Sequence, residues 1–418
     1  NAATTDKKGG RLLSGGHLTL RTGDINNTGG VIAAEGKTTL TSTALNNTQG
    51  QIAGNGGLGI HSRQLINREG SLQSADTLTL ETDGQLLDNQ QGRILSEGAT
   101  TVTSGQLDNT AGRLQSGGDM TVDTRGHWLA NTRNTNPKGG QLLSGGHLTL
   151  RTGDINNTGG MIAADGKTTL TSTALNNTQG QIAGNGGLGI HSRQLINREG
   201  SLQSADTLTL ETDGQLLDNQ QGRILSEGAT TVTSGQLDNT AGRLQSGGDM
   251  TVDTRGHWLA NTRNTNPKGG QLLSGGHLTL RTGDINNTGG MIAADGKTTL
   301  TSTALNNTQG QIAGNGGLGI HSRQLINREG SLQSADTLTL ETDGQLLDNQ
   351  QGRILGEGKT TVTSGTLDNR QGHLQGGQLV IQTGQAGTDN QNGKLLSAGR
   401  FTLTTHWLDN RHGQVQAV

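Results

Sequence analysis

Three sets of residues carry side chains suited to chemistry. Asp88 and Asp108 stand at matching positions of two successive short repeats, so their carboxylates can approach each other, as general acid–base work requires. His61, His191 and His321 recur at a fixed spacing and carry metal-ligating imidazoles. Trp128, Trp258 and Trp407 each follow a histidine (His127, His257 and His406) and precede a leucine. An exposed indole in such a place can stack on a sugar or on a partner protein.

Each set meets an opposing observation. The acid column is not kept: Asn26, Asn46, Ile66 and Ala130 replace the acid in the other repeats of the first block. A solvated face, with Arg93 or Arg113 as screening partner, is the expectation, and no catalysis. The polysaccharide lyases that use such pairs set them in a surface groove with basic groups. The three histidines are 130 residues apart, and His17 has no acid or cysteine at ligand spacing, so neither a metal nor a cofactor is expected. The tryptophans, with His127 and His257, are the binding candidates, against the simpler reading that each indole covers a coil edge.

Two nested periods position all of these residues. Residues 9–138 recur as 139–268 with three differences (Arg11 to Gln141, Val31 to Met161, Glu35 to Asp165), and 269–355 copy 139–225 without change. The third block, 269–398, diverges after 355 and leads into a partial C-terminal coil. Residues 1–8 read as a flanking partial coil or linker. Inside each block a finer period of about 20 residues gives six units: 9–28, 29–48, 49–68, 69–90, 91–110 and 111–138.

Each unit shows short alternating stretches separated by Gly, Asn or Asp, the pattern of strands with one buried face. The first stretch aligns Leu12, Ile32, Ile52, Leu72, Ile94 and Leu114 in one column, followed by a column of small residues from Ser14 to Ser116. The second stretch carries Leu18 and Leu20 around an outward threonine column. The third carries Ile25, Leu45, Leu65, Leu87, Leu107 and Leu129. Two residues later stands an asparagine every time: Asn27, Asn47, Asn67, Asn89, Asn109 and Asn131. An inward amide carries donors and an acceptor, so this column is expected to bond to backbone or to the asparagines above and below.

A helical period does not fit these columns, and 20 residues cannot hold two helices. Three short strands per turn, each pairing in parallel with its copy in the next turn, predict an all-β, right-handed parallel β-helix running as one continuous solenoid over 9–418. At about 4.8 Å per coil, about nineteen coils make a rod roughly 90 Å long, and copies six coils apart lie about 29 Å apart. The glycine at the second position of each unit, Gly10 through Gly112, reads as a bend with positive φ. Turns are expected at Asp83-Gly84 and Arg125-Gly126. Short loops carrying Pro137 and Pro267, the only two prolines, are expected to project from the shaft over Arg133 to Lys138 and its copy.

Composition removes other classes. Only 28% of residues are hydrophobic and 71 are glycine, yet the apolar positions are strictly periodic and the net charge is −3, which argues against disorder. Thirty-one basic residues against 34 acidic ones, interspersed, argue against nucleic-acid binding. No apolar run is long enough for a membrane span. The absence of cysteine fits export in an unfolded state. The chain opens on Asn1 and stops in mid-coil at Val418, which reads as a segment of something longer.

The units LNNTQGQIAGNGGLGIHS (45–62) and LDNTAGRLQSGGDMTVDT (107–124), with the recurring motif L-(D/N)-N-x-x-G-x-(L/I), resemble filamentous haemagglutinin repeats. These occur in large exoproteins of Gram-negative two-partner secretion systems, among them adhesins and contact-dependent growth-inhibition effectors of the CdiA type. The resemblance implies a β-helical rod exported through a partner outer-membrane transporter and displayed outside the cell. It further implies a non-enzymatic stalk that holds a receptor-binding or toxin-bearing region elsewhere in the protein. The alternative is a multivalent adhesin that contacts host glycans or proteins through its Trp-bearing loops.

Overall fold

The computed structural model describes residues 1–2, 9–134, 139–263 and 269–418. The loops expected around Pro137 and Pro267, and most of the 1–8 flank, lie outside the described residues. The chain divides into two compact units, Asn1–Thr207 and Leu208–Val418. Each is a β-solenoid, and among the described residues every regular element is a strand. No helix there is long and apolar enough to cross a membrane.

Each coil opens with a short strand that pairs in parallel with its copy in the next coil. Arg11–Ser14 pairs with Val31–Ala34, which pairs with Gln51–Gly54, aligning Leu12, Ile32 and Ile52. Twenty such opening strands make about 20 turns, half of them in each unit. The second and third strands, such as Leu18–Arg21 and Asp24–Asn26, close the coil. The apolar side chains of all three strands point inward: Leu40, Leu45, Ile52 and Leu72 are at most 1% exposed.

In some coils the second and third strands fuse. Thr38–Asn46 and Leu58–Ile66 are single nine-residue strands, as are Thr168–Asn176 and Thr298–Asn306. The corner survives as a change of phase. Thr38, Leu40 and Ser42 are buried, then Thr43 and Ala44 both turn outward, then Leu45 and Asn47 are buried again. Coils that keep two strands have Gly or Asp at this corner (Gly23-Asp24, Asp83-Gly84, Gly105), whereas these four fused strands have neither there; the fused strand Lys359–Asp368 keeps Gly365.

The third corner carries the asparagine column, bonded as expected to the asparagines above and below, while the conformation of the turn after it differs from the expectation. From Asn27 to Asn390 the asparagines are fully buried, and within each unit the side-chain N–H of one donates to the side-chain oxygen of the next. In the first unit this runs from Asn27 to Asn47, Asn67, Asn89, Asn109 and Asn131 at 2.7–2.8 Å. In the second unit it runs from Asn219 to Asn239 at 2.7 Å and continues to Asn410. The amide also donates to backbone, as Asn47 does to the Gly50 carbonyl.

The chain then turns, with the Gly50 N–H bonded to the Asn47 carbonyl. Positive φ falls on the residue before the glycine: Gln49 at 54°, Glu69 at 52°, Gln91 at 55° and Ala111 at 51°. The second-position glycines do not have it. They are needed for space instead, because a Cβ on Gly50 would lie 2.2 Å from the Asn27 carbonyl oxygen and 2.5 Å from Asn47 Oδ1. The turn needs one left-handed residue, and the amide stack beside it leaves no room for a side chain at the next position.

The glycines are therefore not equivalent. Gly50→Ala is expected to cost at least ~2 kcal/mol, because backbone must move or the stack must open. Gly59→Ala, where a Cβ meets nothing within 4 Å, is expected to stay within ~0.5 kcal/mol. Urea midpoints of the two variants check this; equal midpoints would exclude the steric account.

Candidate functional site

The acid column does not form a solvated pair. Asp88 is 1% exposed, and its Oδ2 accepts from Arg68 Nε at 2.6 Å. Its Oδ1 accepts the Gln90 backbone N–H, while the Gln90 side-chain amide donates to Asp108 Oδ2 at 2.7 Å. Asp88 does align with Asp108 in adjacent coils. The expected screening by Arg93 or Arg113 is corrected: Arg68 reaches over from the preceding coil and, with Gln90, covers the carboxylate. Arg113 turns instead to Gln115. Both acids are engaged in holding the surface of the coil together.

Histidine clusters form where the sequence reading saw isolated histidines. His61 pairs in register with Glu81, and its Nδ1 lies 3.3 Å from Glu81 Oε2. Its Nε2 lies 3.2 Å from Asp83 Oδ1. His321, Glu341 and Asp343 repeat the arrangement at 3.4 and 3.3 Å. One ligand atom from each residue lies within 4.8 Å of the others, so a divalent cation has a donor set here. The guanidinium of Arg125 already forms an ion pair with Glu81 at 3.3 Å, and the imidazole spans two carboxylates, so the first cluster is a half-exposed polar network. Comparing His61 with its distant copies hid this. The signal was one repeat downstream, where parallel register puts Glu81 directly beside it. His17 is tied differently, with Nδ1 accepting the Lys37 backbone N–H at 2.9 Å.

The tryptophans point outward, 42% exposed at Trp128 and Trp258 and 43% at Trp407. His127 holds the corner before Trp128 through its backbone: its N–H donates to the Thr124 carbonyl, and its carbonyl accepts from Gly153 N at 2.8 Å. His257 does the same in the second unit, donating to Thr254 and accepting from Gly283. Neither imidazole lines the depression beside the indole. The Trp407 ring lies against Gly387, where a Cβ would come within 2.5 Å of it.

Trp128 leads an open depression of about 400 Å³ on the third face of the solenoid. Parallel register builds its surface from two outward columns. One runs Asp154, Ala174, Gln194 and the other Ala130, Asn156, Asn176, Ile196. Trp258 leads the same arrangement in the second unit, with Asp284, Ala304 and Gln324 beside Ala260, Asn286, Asn306 and Ile326. The small alanines set the floor low, and the indole stands above it. Sequence alignment of the coils contained these columns; the depression itself depends on the relative height of neighbouring side chains.

A family model described as a haemagglutinin repeat matches residues 42–89, 73–127, 128–183, 172–217, 204–257, 258–313, 302–347, 333–387 and 382–418, tiling the chain from 42 to its last residue. No curated protein and no solved structure matches.

The Arg68–Asp88 contact gives a direct check on the structural reading of the acid column. Removing the arginine leaves a buried carboxylate without its cation, so Arg68→Ala is expected to cost about 1–3 kcal/mol, and Arg68→Ala with Asp88→Ala less than Arg68→Ala alone. Thermal and urea midpoints of the three proteins measure this.

Proposed function

The chain belongs to the haemagglutinin-repeat family, and from that premise we propose that it is the shaft of a large bacterial surface exoprotein. Haemagglutinin repeats in a β-solenoid fit an extracellular filament or adhesin-like segment. In this reading residues 9–418 form one continuous β-helix. It is exported through a partner outer-membrane transporter and carries a distal receptor-binding or toxin-bearing region away from the producing cell, as in contact-dependent growth inhibition. The absence of cysteine suits that route, since no disulfide has to be broken for export.

The observation that carries the proposal is the parallel register repeated from coil to coil within each unit, with the asparagine column inside it. Each coil is a template for the next, so stability is shared between neighbours and stiffness follows from stacking alone. Nothing in this mechanism calls on a reactive group, and the adjacent acids Asp88 and Asp108 are each engaged by a neighbouring side chain.

A second reading has its own observation. The depressions beside Trp128 and Trp258 give the shaft an adhesive face of repeated, identical contacts, with His127 and His257 fixing the corners that present the indoles.

Small-angle scattering of the whole chain tests the first reading. A rod of the expected length has a radius of gyration of about 27 Å, against about 22 Å for a compact globule of this size; the lower value would refute the spacer. For the second reading, Trp128→Ala with Trp258→Ala is expected to lower attachment of the purified chain to host cells at least about tenfold, with an unchanged circular-dichroism spectrum. Unaltered attachment would remove the adhesive role.

A further inference from the structure

The depressions beside Trp128 and Trp258 have a chemistry more specific than adhesion, and the inference here rests on that adhesive reading. The central asparagines of each depression are locked. Asn156 Oδ1 accepts from both the backbone N–H and the hydroxyl of Thr158, at 3.1 and 2.7 Å. Asn176 Oδ1 is held the same way by Thr178, at 3.0 and 2.6 Å. A backbone N–H can only donate, so the bonded atom of each amide is its oxygen. Each Nδ2 group is left as a donor with no protein partner among the described residues. Parallel register sets these two donors in adjacent coils, about 4.8 Å apart along the stack. Asn286 and Asn306 repeat the arrangement with Thr288 and Thr308 in the second unit.

Around these fixed donors stand a flat indole, an exposed carboxylate and a further amide: Trp128, Asp154 and Gln194, or Trp258, Asp284 and Gln324. Among the described residues no lysine or arginine lines either depression. An indole takes the apolar C–H face of a pyranose ring, oriented N–H groups donate to its hydroxyl oxygens, and a carboxylate accepts from its hydroxyl protons. An anionic ligand would face Asp154 with no cation to answer it. The volume, about 400 Å³, falls in the range of small-ligand sites, roughly 300–1,000 Å³. We infer that each depression is a binding site for a neutral, ring-form oligosaccharide, stacked on the indole and held by the two locked asparagine amides.

The chain contains internal controls. The columns Asp24, Ala44, Gln64 and Asn26, Asn46, Ile66 repeat the same surface with no tryptophan ahead of them in this chain. Trp407 has the indole but no further asparagine columns after it. Binding therefore has a stoichiometry of two per chain.

Because the chain has three tryptophans and no tyrosine, its intrinsic fluorescence reads these sites directly. The experiment is a titration of the whole chain with chitohexaose, a neutral oligosaccharide whose rings present flat C–H faces, followed by fluorescence in the parent and by isothermal calorimetry in every variant, because replacing an indole also removes its signal. The expected result is a saturable change with two sites, one lost in Trp128→Ala and both in Trp128→Ala with Trp258→Ala, while Trp407→Ala keeps both. Asn156→Ala with Asn286→Ala should weaken binding about tenfold with the indoles intact. Should the alanine variants unfold, Trp128→Phe with Trp258→Phe supplies a flat ring in a folded chain and should bind within about fivefold of the parent.

The assignment is overturned by no change up to about 10 mM chitohexaose, an equal change with the acyclic polyol sorbitol, binding that survives in the double alanine variant, or tighter binding of a sulfated hexasaccharide than of the neutral one. Cell attachment that needs both tryptophans in a chain that ignores the sugar would also overturn it, while leaving the adhesive face to a protein partner. Sugar binding without cell attachment would support it and remove only the adhesive role.

Discussion

The buried asparagine amide is the interaction on which the rest of the structure leans. One amide per coil satisfies its neighbour's oxygen, its own turn and the backbone of a further coil, all in a place with no access to water. A polar group so deep is costly unless every bond is made, and here each bond is made only if the coils are in register. The recurring motif L-(D/N)-N-x-x-G-x-(L/I) can be read as geometry on that basis. The leucine fills the interior, and the asparagine after it is the rung. The second x takes the left-handed conformation, and the glycine leaves room for the rung below. The last apolar residue starts the next coil.

With register held from inside, the outward positions are free to vary. That freedom explains why the same column holds Asp88, Asp108, Ala130 and Asn156 in successive coils, each making different local contacts or none. It also explains how a depression can be made without any insertion: two alanines, such as Ala130 and Ala174, lower the surface, and a tryptophan two residues before the first of them raises an edge. The solenoid acts as a lattice on which surface chemistry is written by row and column. Interior sites are less tolerant, though not flawless. The hydroxyls of Ser104, Ser234 and Ser364 are buried without a partner, whereas Thr82 and Thr124 at the same corner reach a backbone carbonyl across a longer turn.

The repeat made the interior legible from sequence. Alternation placed the leucines and isoleucines, and the asparagine column stood out because nothing else recurred so strictly. What escaped was what depends on the third dimension between columns. Positive φ was expected at the glycines because glycine usually means a left-handed turn; here it falls on glutamine, glutamate or alanine, since the glycine is required by a neighbour's carbonyl. Asp88 was expected in solvent because alternation puts it outside, but Arg68 is long enough to cover it from the adjacent coil. The partners of His61 lie one coil onward, at Glu81 and Asp83, while its nearest copy is six coils away. In a parallel solenoid the chemical neighbour is found by adding one period, and the fused strands show that the period survives even where the turn signal at the corner does not.

The rungs all point one way. Within each unit the amide N–H of an asparagine is given to the coil that follows, and the oxygen is taken by the coil before. Any stack of these coils is thus a polar object, with side-chain donors directed to one end face and acceptors to the other. Two faces of the same kind brought together would set oxygen against oxygen or N–H against N–H. Only unlike faces match, so if such stacks join end to end they join head to tail. That is the heterologous arrangement, which does not close on itself and extends as a line.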